Sequence, residues 1–224
     1  MSHPSSRLPF GDRFEAGSLL GSELRTRHFP ADTLVLALPR GGVPVAFEVA
    51  LALNAPLDVE IVRKLGVPWQ PELAMGALAG GRAFLDHTLI SQLGIAEQQV
   101  KEVIAAEAAT AARQAKVFRN NRPSPDLANR PLIVVDDGLA TGASMIAAVN
   151  HLKSAQPAAI TVAVPVASNQ ACLDLRNFVD DCVCLATPDP FYSVGTWYRD
   201  FTQVTDAEVI ALLQKQSAVA PPRF

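Results

Sequence analysis

The stretch LIVVDDGLATGAS spans residues 132–144 of a 224-residue chain. Its first four residues are apolar and mostly β-branched, which predicts a buried strand. Two adjacent carboxylates, Asp136 and Asp137, end that run, and a loop with two glycines and two hydroxyl side chains follows. Residues 145–153 then show a helical pattern. The stretch therefore predicts a strand, a tight loop and a helix in direct succession.

The loop after the carboxylates has the chemistry of a phosphate site. Backbone N–H groups, the hydroxyls of Thr141 and Ser144, and the positive end of the following helix would converge there. Asp136 and Asp137 do not suit a phosphate, but they suit sugar hydroxyls or a hydrated divalent cation. A phosphorylated sugar satisfies both halves. An ordinary turn between strand and helix is the alternative, although such a turn requires neither the acidic pair nor the Thr-Gly pair.

Residues 134–142, VVDDGLATG, resemble the phosphoribosyl pyrophosphate (PRPP) signature of the type I phosphoribosyltransferases. The resemblance implies that Asp136 and Asp137 hold the ribose 2′- and 3′-hydroxyls and help to place Mg²⁺ through water. It implies that the 5′-phosphate is bound by the loop residues Gly138, Leu139, Ala140, Thr141, Gly142 and Ser144.

The resemblance does not identify the acceptor base. Ala140 stands where the 6-oxopurine enzymes carry Asp, and no lysine lies between Ala155 and Phe191 to contact a purine 6-oxo group. The Ala-Thr-Gly form is closer to the adenine and orotate branches. The chain thus resembles a branch of the family whose substrate is uncharacterised.

Composition indicates a globular protein, which we expect to form one phosphoribosyltransferase domain over residues 1–224. Half of the residues are hydrophobic (49%) and the formal net charge is −3, which argues against a general nucleic-acid binder. No apolar run reaches membrane-spanning length. Residues 1–9 are polar and lack the apolar core of a signal peptide, so we expect a cytoplasmic protein.

Strands that alternate with helices predict an α/β fold of the Rossmann-like, type I phosphoribosyltransferase kind, with a parallel central sheet, helices on both faces and a small hood or flap. We expect the three motif loops at the carboxyl ends of the strands, where such sheets bind ligands. The predicted strands are 33–38, 57–62, 132–135, 159–164 and 179–186, with a hairpin of 73–79 and 82–85. The predicted helices are 10–28, 43–53, 95–118, 145–153, 169–177 and 205–214, followed by a frayed tail over 216–224.

Arg40, Gly41 and Gly42 directly follow the first predicted strand. Two glycines allow the backbone to approach an anion closely. The resemblance makes this tripeptide the pyrophosphate loop, which in relatives often carries a non-proline cis peptide, and we expect one at or near Arg40-Gly41. A plain turn with a solvated arginine is the alternative.

Arg63 and Lys64 follow the second predicted strand and could hold a polyphosphate and offset its charge as it leaves. They resemble the basic start of the flexible catalytic loop in orotate-type relatives, although the residues after them differ from that pattern. Glu72 is a candidate acid–base or metal-shell group, and equally a solvated carboxylate. A flap formed by residues 65–75 would exclude water from the site.

Residues 188–201, PDPFYSVGTWYRDF, are dense in aromatic side chains and resemble the late segment of the 6-oxopurine phosphoribosyltransferases. In those enzymes an aromatic ring stacks on the base, so Phe191 or Tyr192 is the stacking candidate. Packing of a hood onto the core is the alternative, above all for Trp197 and Tyr198.

Cys172, Cys182 and Cys184 cluster late in the chain. Cys182 and Cys184 alternate with Val183 in a predicted strand and would face the same way. We interpret the three as buried small hydrophobic residues rather than metal ligands, because no second cysteine pair and no paired histidine lies near them in the sequence.

Together these features predict a Mg²⁺-dependent transferase that joins the phosphoribosyl group of PRPP to a nitrogenous, nucleobase-like acceptor and releases pyrophosphate. A regulatory protein that senses PRPP or a nucleotide without turnover is the main alternative, and an enzyme of another sugar phosphate is a third. We expect a homodimer with no nucleic-acid or membrane partner. The helix over 95–118 matches nothing in the family pattern and could be an insertion that acts as a lid or a dimer surface.

Overall fold

The computed structural model describes residues 8–219. Its main sheet has five strands in the order β2-β1-β6-β7-β8, and all neighbouring pairs are parallel. This confirms the predicted parallel sheet. The strands are β1 (Leu34–Ala37), β2 (Leu57–Val59), β6 (Pro131–Val135), β7 (Ala159–Val166) and β8 (Asp181–Ala186).

Helices cover both faces of this sheet, as the apolar strands require. On one face the side chains of Val35 and Ile133 pack in a cluster with helices α1 and α2, while Leu36 and Val134 pack on the other face with α5 and α6. The bounds of these helices are α1 (Arg13–Leu24), α2 (Gly42–Leu53), α5 (Ala143–Lys153) and α6 (Asn169–Leu175).

A small antiparallel sheet forms the hood, with strands in the order β3-β4-β5. The predicted hairpin around Gly80-Gly81 is confirmed as β4 (Gln70–Ala79) and β5 (Arg82–Leu85). The prediction of one strand over 57–62 that ends before a basic loop is wrong: β2 stops at Val59, and a separate strand β3 (Val62–Val67) contains Arg63 and Lys64. Buried Leu65 and Val67 alternate with more exposed neighbours in β3, which is the pattern of a strand with one covered face.

Two helices follow the hood. The short α3 (His87–Gln92) precedes α4 (Glu97–Phe118), so the helix predicted over 95–118 is confirmed with a slightly later start. Helix α4 packs against β3 and against the last helix, α7 (Asp206–Val219). It therefore joins the hood to the rest of the molecule.

The three cysteines lie together between α6 and β8. Cys182 and Cys184 share one face of β8, with their sulfur atoms 3.9 Å apart, as predicted. Cys172 and Cys184 form a disulfide, a covalent link that the interpretation as plain buried hydrophobic residues did not include. All three sulfur atoms lie within 4.8 Å of one another, because α6 packs on the strand face that carries the other two.

The chain end differs from the expected frayed tail. Helix α7 continues to Val219, so residues 216–219 are helical, whereas 220–224 lie outside the described residues, as do residues 1–7. Among the residues that are described, no helix combines the length and the apolar character needed to cross a bilayer.

Candidate functional site

The carboxyl ends of β1 and β6 bring two of the predicted loops together. The N–H group of Leu38 donates to the carbonyl of Val135 at 2.9 Å, which joins the strand ends. A Cβ added to Gly42 would lie 2.8 Å from the carbonyl oxygen of Val135, and one added to Gly41 would overlap the carboxylate of Asp137. Both glycines are therefore required by close approach.

The peptide bond between Pro39 and Arg40 is cis. This confirms the non-proline cis peptide expected at or near Arg40-Gly41. The Arg40 side chain leaves this loop toward α7, where its guanidinium lies 3.5 Å from the carboxylate of Asp206. That ion pair is half exposed, so it holds the side chain only weakly.

Asp136 and Asp137 lie at the junction of the two loops in a poorly solvated position. Desolvation by burial, and after it the charge of Asp137, raises the pKa of Asp136 well above its usual value. Burial also raises the pKa of Asp137, while the Arg13 guanidinium opposes that rise. The Asp137 N–H donates to Oδ1 of Asp136 at 2.8 Å, which orients the two carboxylates relative to each other.

Arg13, at the start of α1, is a site residue that the sequence analysis did not identify. Its Nε donates to Oδ2 of Asp137 at 2.8 Å, and both side chains are nearly buried (10% and 14% exposed). Its other contacts are a hydrogen bond to the carbonyl of Thr202 at 2.8 Å and the Phe201 ring, whose centroid lies 3.8 Å from the guanidinium carbon. No local pattern signals this role, because 124 residues separate Arg13 from Asp137.

The aromatic segment packs against the acidic pair. The Tyr198 hydroxyl donates to the carbonyl of Asp137 at 2.6 Å, and the buried Tyr198 ring contacts that of Phe10. The methyl group of Val194 lies so close to Gly138 that a Cβ there would come within 2.6 Å of it. For Tyr198 the packing alternative is therefore the observed one.

The two stacking candidates differ in their surroundings. Phe191 is partly buried, and its ring centroid lies 6.4 Å from that of Trp197. Tyr192 is 79% exposed. Both belong to the segment that packs beside Gly138, and of the two only Tyr192 presents an open ring face to solvent.

The loop from Gly138 to Ser144 is hydrogen-bonded to the rest of the protein on one side and exposed to solvent on the other. The N–H group of Leu139 donates to Val166, and the Ser168 side chain donates to the carbonyl of Ala140. Gly142 has a left-handed conformation (φ 74°) and lies directly before the first residue of helix α5. This conformation favours glycine because a side chain would be strained there.

Exposed donors surround the open side of this loop. Thr141 and Ser144 are exposed, and the first hydrogen bond within α5 is the one that Ile146 donates to Gly142. The N–H groups of the preceding helical residues therefore have no partner inside the helix. The Ala143 N–H makes only a long hydrogen bond, of 3.4 Å, to Oγ1 of Thr141. The two hydroxyls, the N–H groups at the start of α5 and the helix dipole make this a suitable anion site.

Arg63 and Lys64 lie in the hood and already have partners. Arg63 Nε contacts the Glu107 carboxylate of α4 at 2.7 Å, and Lys64 Nζ lies 3.1 Å from the Glu72 carboxylate. Glu72 itself is 94% exposed. As successive residues of a strand, Arg63 and Lys64 point to opposite faces of the small sheet. Within residues 8–219, no hydrogen bond or ion pair links either of them to the loop of 136–144.

The acidic pair fits a magnesium ion held through water. Mg²⁺ prefers oxygen ligands and usually keeps several of its waters. A cation beside Asp136 would also favour the ionised form of a carboxyl that burial otherwise disfavours. Asp137 has one oxygen bonded to Arg13, so water-mediated contact fits it better than direct ligation.

Comparison with known proteins agrees with this geometry. Residues 17–197 match the family described as "Phosphoribosyl transferase domain". Two Mycobacterium tuberculosis proteins, each named "Putative phosphoribosyl transferase" (strains CDC 1551 and H37Rv), are 42% identical to the chain over 207 residues. These matches cover 92% of the chain and 46% of each relative, so the chain spans about half of the length of these curated relatives.

A solved structure is similar over nearly the whole chain. The crystal structure of TT1426 from Thermus thermophilus has 40% sequence identity and a TM-score of 0.79. The superposition covers 93% of this chain and 99% of that one.

Proposed function

Because the chain belongs to the phosphoribosyl transferase family, we propose that it transfers the 5-phosphoribosyl group of PRPP to a nitrogenous base. In this reaction the bond from the ribose C1 to pyrophosphate breaks, a bond from C1 to the acceptor nitrogen forms, and the acceptor loses a proton. The observation that carries the proposal is the meeting of the acidic pair with the open anion site of residues 138–144, beside the Gly41 backbone.

Each part of the site has a proposed task. Thr141, Ser144 and the N–H groups at the start of α5 bind the 5′-phosphate. Asp136 and Asp137 hold the ribose hydroxyls, and Arg13 and Tyr198 fix the position of Asp137. When bound, Mg²⁺ would neutralise phosphate charge, held by the two carboxylates through water.

The leaving pyrophosphate and the acceptor both react at C1 of the ribose, away from the 5′-phosphate. The loop of Arg40, Gly41 and Gly42 receives pyrophosphate, and Tyr192 or Phe191 stacks on the acceptor. For Arg63 and Lys64 to stabilise the leaving group, the hood must release them from Glu107 and Glu72. Glu72 then becomes the exposed group that can accept the proton.

The ion pairs that Arg63 and Lys64 already make favour a second candidate function. A protein that senses PRPP or a nucleotide needs the phosphate and ribose sites, but it does not need free cations for a leaving group. In the structure both cations are in ion pairs. A sensor is therefore the alternative that this geometry supports.

Pyrophosphate release separates the two functions. PRPP and Mg²⁺ are incubated with the protein and a panel of purine and pyrimidine bases, with a control that lacks any base. Release that depends on one base supports the transferase and identifies its acceptor. PRPP binding without release for any base supports the sensor, and failure to bind PRPP contradicts both.

A further inference from the structure

A second cavity, of about 380 Å³, lies on one face of the main sheet. Leu36 of β1 forms its floor, and its walls come from α4, from the hood turn at Gly80-Gly81 and from the end of α5. None of the residues 40–42 or 136–144 lines it. It is therefore separate from the phosphate and ribose site.

One face of α4 leaves the space for this cavity. The residues of α4 that line it are alanines at helical spacing, namely Ala108, Ala111, Ala112 and Ala115. Residues three and four apart share a helix face, so the four methyl groups form one flat apolar wall. Larger side chains at these positions would fill the space.

Glu60 projects a buried carboxylate into the cavity without a partner. Its side chain is 9% exposed, and its Oε1 atom accepts no hydrogen bond from any described residue. Arg119 also lines the cavity, but its guanidinium pairs with Asp58 at 3.0 Å and donates to the carbonyl of Val59 at 2.7 Å. Burial raises the pKa of Glu60 to about 7, with Arg119 lowering it and Asp58 raising it by smaller amounts.

His151, in the last turn of α5, offers a second unsatisfied group. Its Nε2 lies 3.9 Å from Oε1 of Glu60, and its Nδ1 is buried without a partner among the described residues. The Gly80 backbone packs directly on the ring and leaves no room for a side chain. Burial, and then the charge of Arg82, lowers the pKa of His151, so the ring is neutral near pH 7 and one nitrogen accepts hydrogen bonds.

We propose that this cavity is a binding site for a small, planar cation of the guanidinium or amidinium type. The unpaired carboxylate of Glu60 is an acceptor, so the complementary ligand is rich in N–H donors. Guanidinium and amidinium groups donate two parallel hydrogen bonds to a carboxylate and have a flat face for an apolar wall. A buried carboxylate is costly when it is unpaired, and such a ligand would pair with it.

Methylguanidine is a direct probe, titrated by calorimetry at pH 7.5 and low-millimolar concentrations. Methylurea has the same shape and can also donate two parallel N–H groups to a carboxylate, but it carries no charge, so the comparison isolates the effect of the charge. We expect methylguanidine to bind the wild-type protein at one site and methylurea not to bind.

Two test variants and two control variants locate the site. Glu60→Gln keeps the size of the side chain but removes its charge, and Ala112→Leu, at an exposed position of the wall, fills the cavity. We expect each to weaken methylguanidine binding at least tenfold. Glu102→Gln, on the same helix outside the cavity, and Asp136→Asn, in the other acidic site, should leave the affinity unchanged. Undetectable binding to the wild type, or equal affinity for Glu60→Gln, would overturn the proposal.

Discussion

The Asp137 carboxylate is confined from two sides. Arg13 binds one oxygen at 2.8 Å, and the Gly41 backbone approaches so closely that no Cβ fits between them. Such confinement favours binding of the ribose hydroxyls, because the side chain is already ordered before the ligand binds and loses little conformational entropy on binding. Arg13, which positions Asp137, therefore matters for PRPP binding without contacting PRPP.

Arg13→Met should lower both stability and PRPP affinity, because it leaves Asp137 poorly solvated and unpaired. Breaking a buried pair by removing one partner costs about 3 kcal/mol in free energy of unfolding, which urea titration would measure. The matched control is Arg27→Met, whose pair with Asp181 is far more exposed and should cost less than about 1 kcal/mol. Adding Asp137→Asn should restore part of the lost stability; a double variant less stable than Arg13→Met would refute the pairing.

Gly41→Ala should abolish PRPP binding, because the added methyl group displaces the Asp137 carboxylate. Gly41 has an ordinary helical conformation (φ −58°), so the backbone itself tolerates alanine. Gly11→Ala is the control, since its methyl group meets only the end of the flexible Glu15 side chain. Calorimetry with PRPP compares the two; unaltered affinity in Gly41→Ala would show that this approach is unimportant.

At the scale of elements, the hood connects α4 to the candidate leaving-group residues. The ion pair of Arg63 with Glu107 joins β3 to α4, and Lys64 pairs with Glu72 on the neighbouring strand β4. A flap over residues 65–75 was expected from the sequence, and this range covers most of the β3–β4 hairpin. Its opening or closing would change which partners these cations have.

Glu107→Gln should strengthen pyrophosphate binding several-fold, because it frees the Arg63 guanidinium without changing the shape of α4. Glu102→Gln is the control and should have no effect, since its carboxylate, also on α4, accepts a hydrogen bond from Gln98 instead of pairing with Arg63. Competition of pyrophosphate against PRPP measures the change. Equal pyrophosphate affinities in the two variants would show that Arg63 is not part of the site that binds the leaving group.

The elements predicted correctly from the sequence are those in which no polar residue interrupts the regular pattern of apolar residues. Strand β6 and the alternating strands and helices around it follow from runs such as LIVV in residues 132–135. Strand β3 was missed because Arg63, Lys64 and Gly66 interrupt its pattern, and its register with β4 shifts beside Gly66. Two consecutive polar residues, Arg63 and Lys64, break the alternation of apolar and polar residues that distinguishes a strand from a loop.

At the scale of the whole molecule, the site depends on contacts between distant parts of the chain. The loops of residues 40–42 and 136–144 could be placed together from the sequence, because parallel strands bring their carboxyl ends to one edge. The Arg13 contact could not, since it depends on how α1 packs beside the loop after β6. The single domain and the homodimer stay predictions.

The stability of the whole molecule should fall as pH rises from about 4.5 to 7. Glu60 has an ordinary pKa of 4.5 and a folded pKa of about 7, so the folded state holds a proton that the unfolded state has lost. The stabilisation from this proton is fully present below pH 4.5 and is lost as the pH rises through about 7. For Glu60 alone, the free energy of unfolding falls by about 3 kcal/mol.

Glu60→Gln tests this contribution, because it removes the titrating group and leaves the other buried carboxyls and His151 in place. Thermal unfolding followed at pH 5 and pH 8 should show a smaller loss of melting temperature in the variant than in the wild type. Parallel pH profiles for the two proteins would mean that Glu60 does not titrate in this range.

The most direct measurement is a calorimetric titration of PRPP, with Mg²⁺ present, into the wild type, Asp136→Asn and Thr141→Val. We expect one PRPP per chain in the wild type. The affinity for PRPP should fall at least tenfold in each variant. Asp136→Asn loses the carboxylate charge beside the ribose, and Thr141→Val loses the hydroxyl that binds the 5′-phosphate. Far-ultraviolet circular dichroism verifies that both variants remain folded. Wild-type affinity in both variants would contradict the assignment of residues 136–144 as the PRPP site.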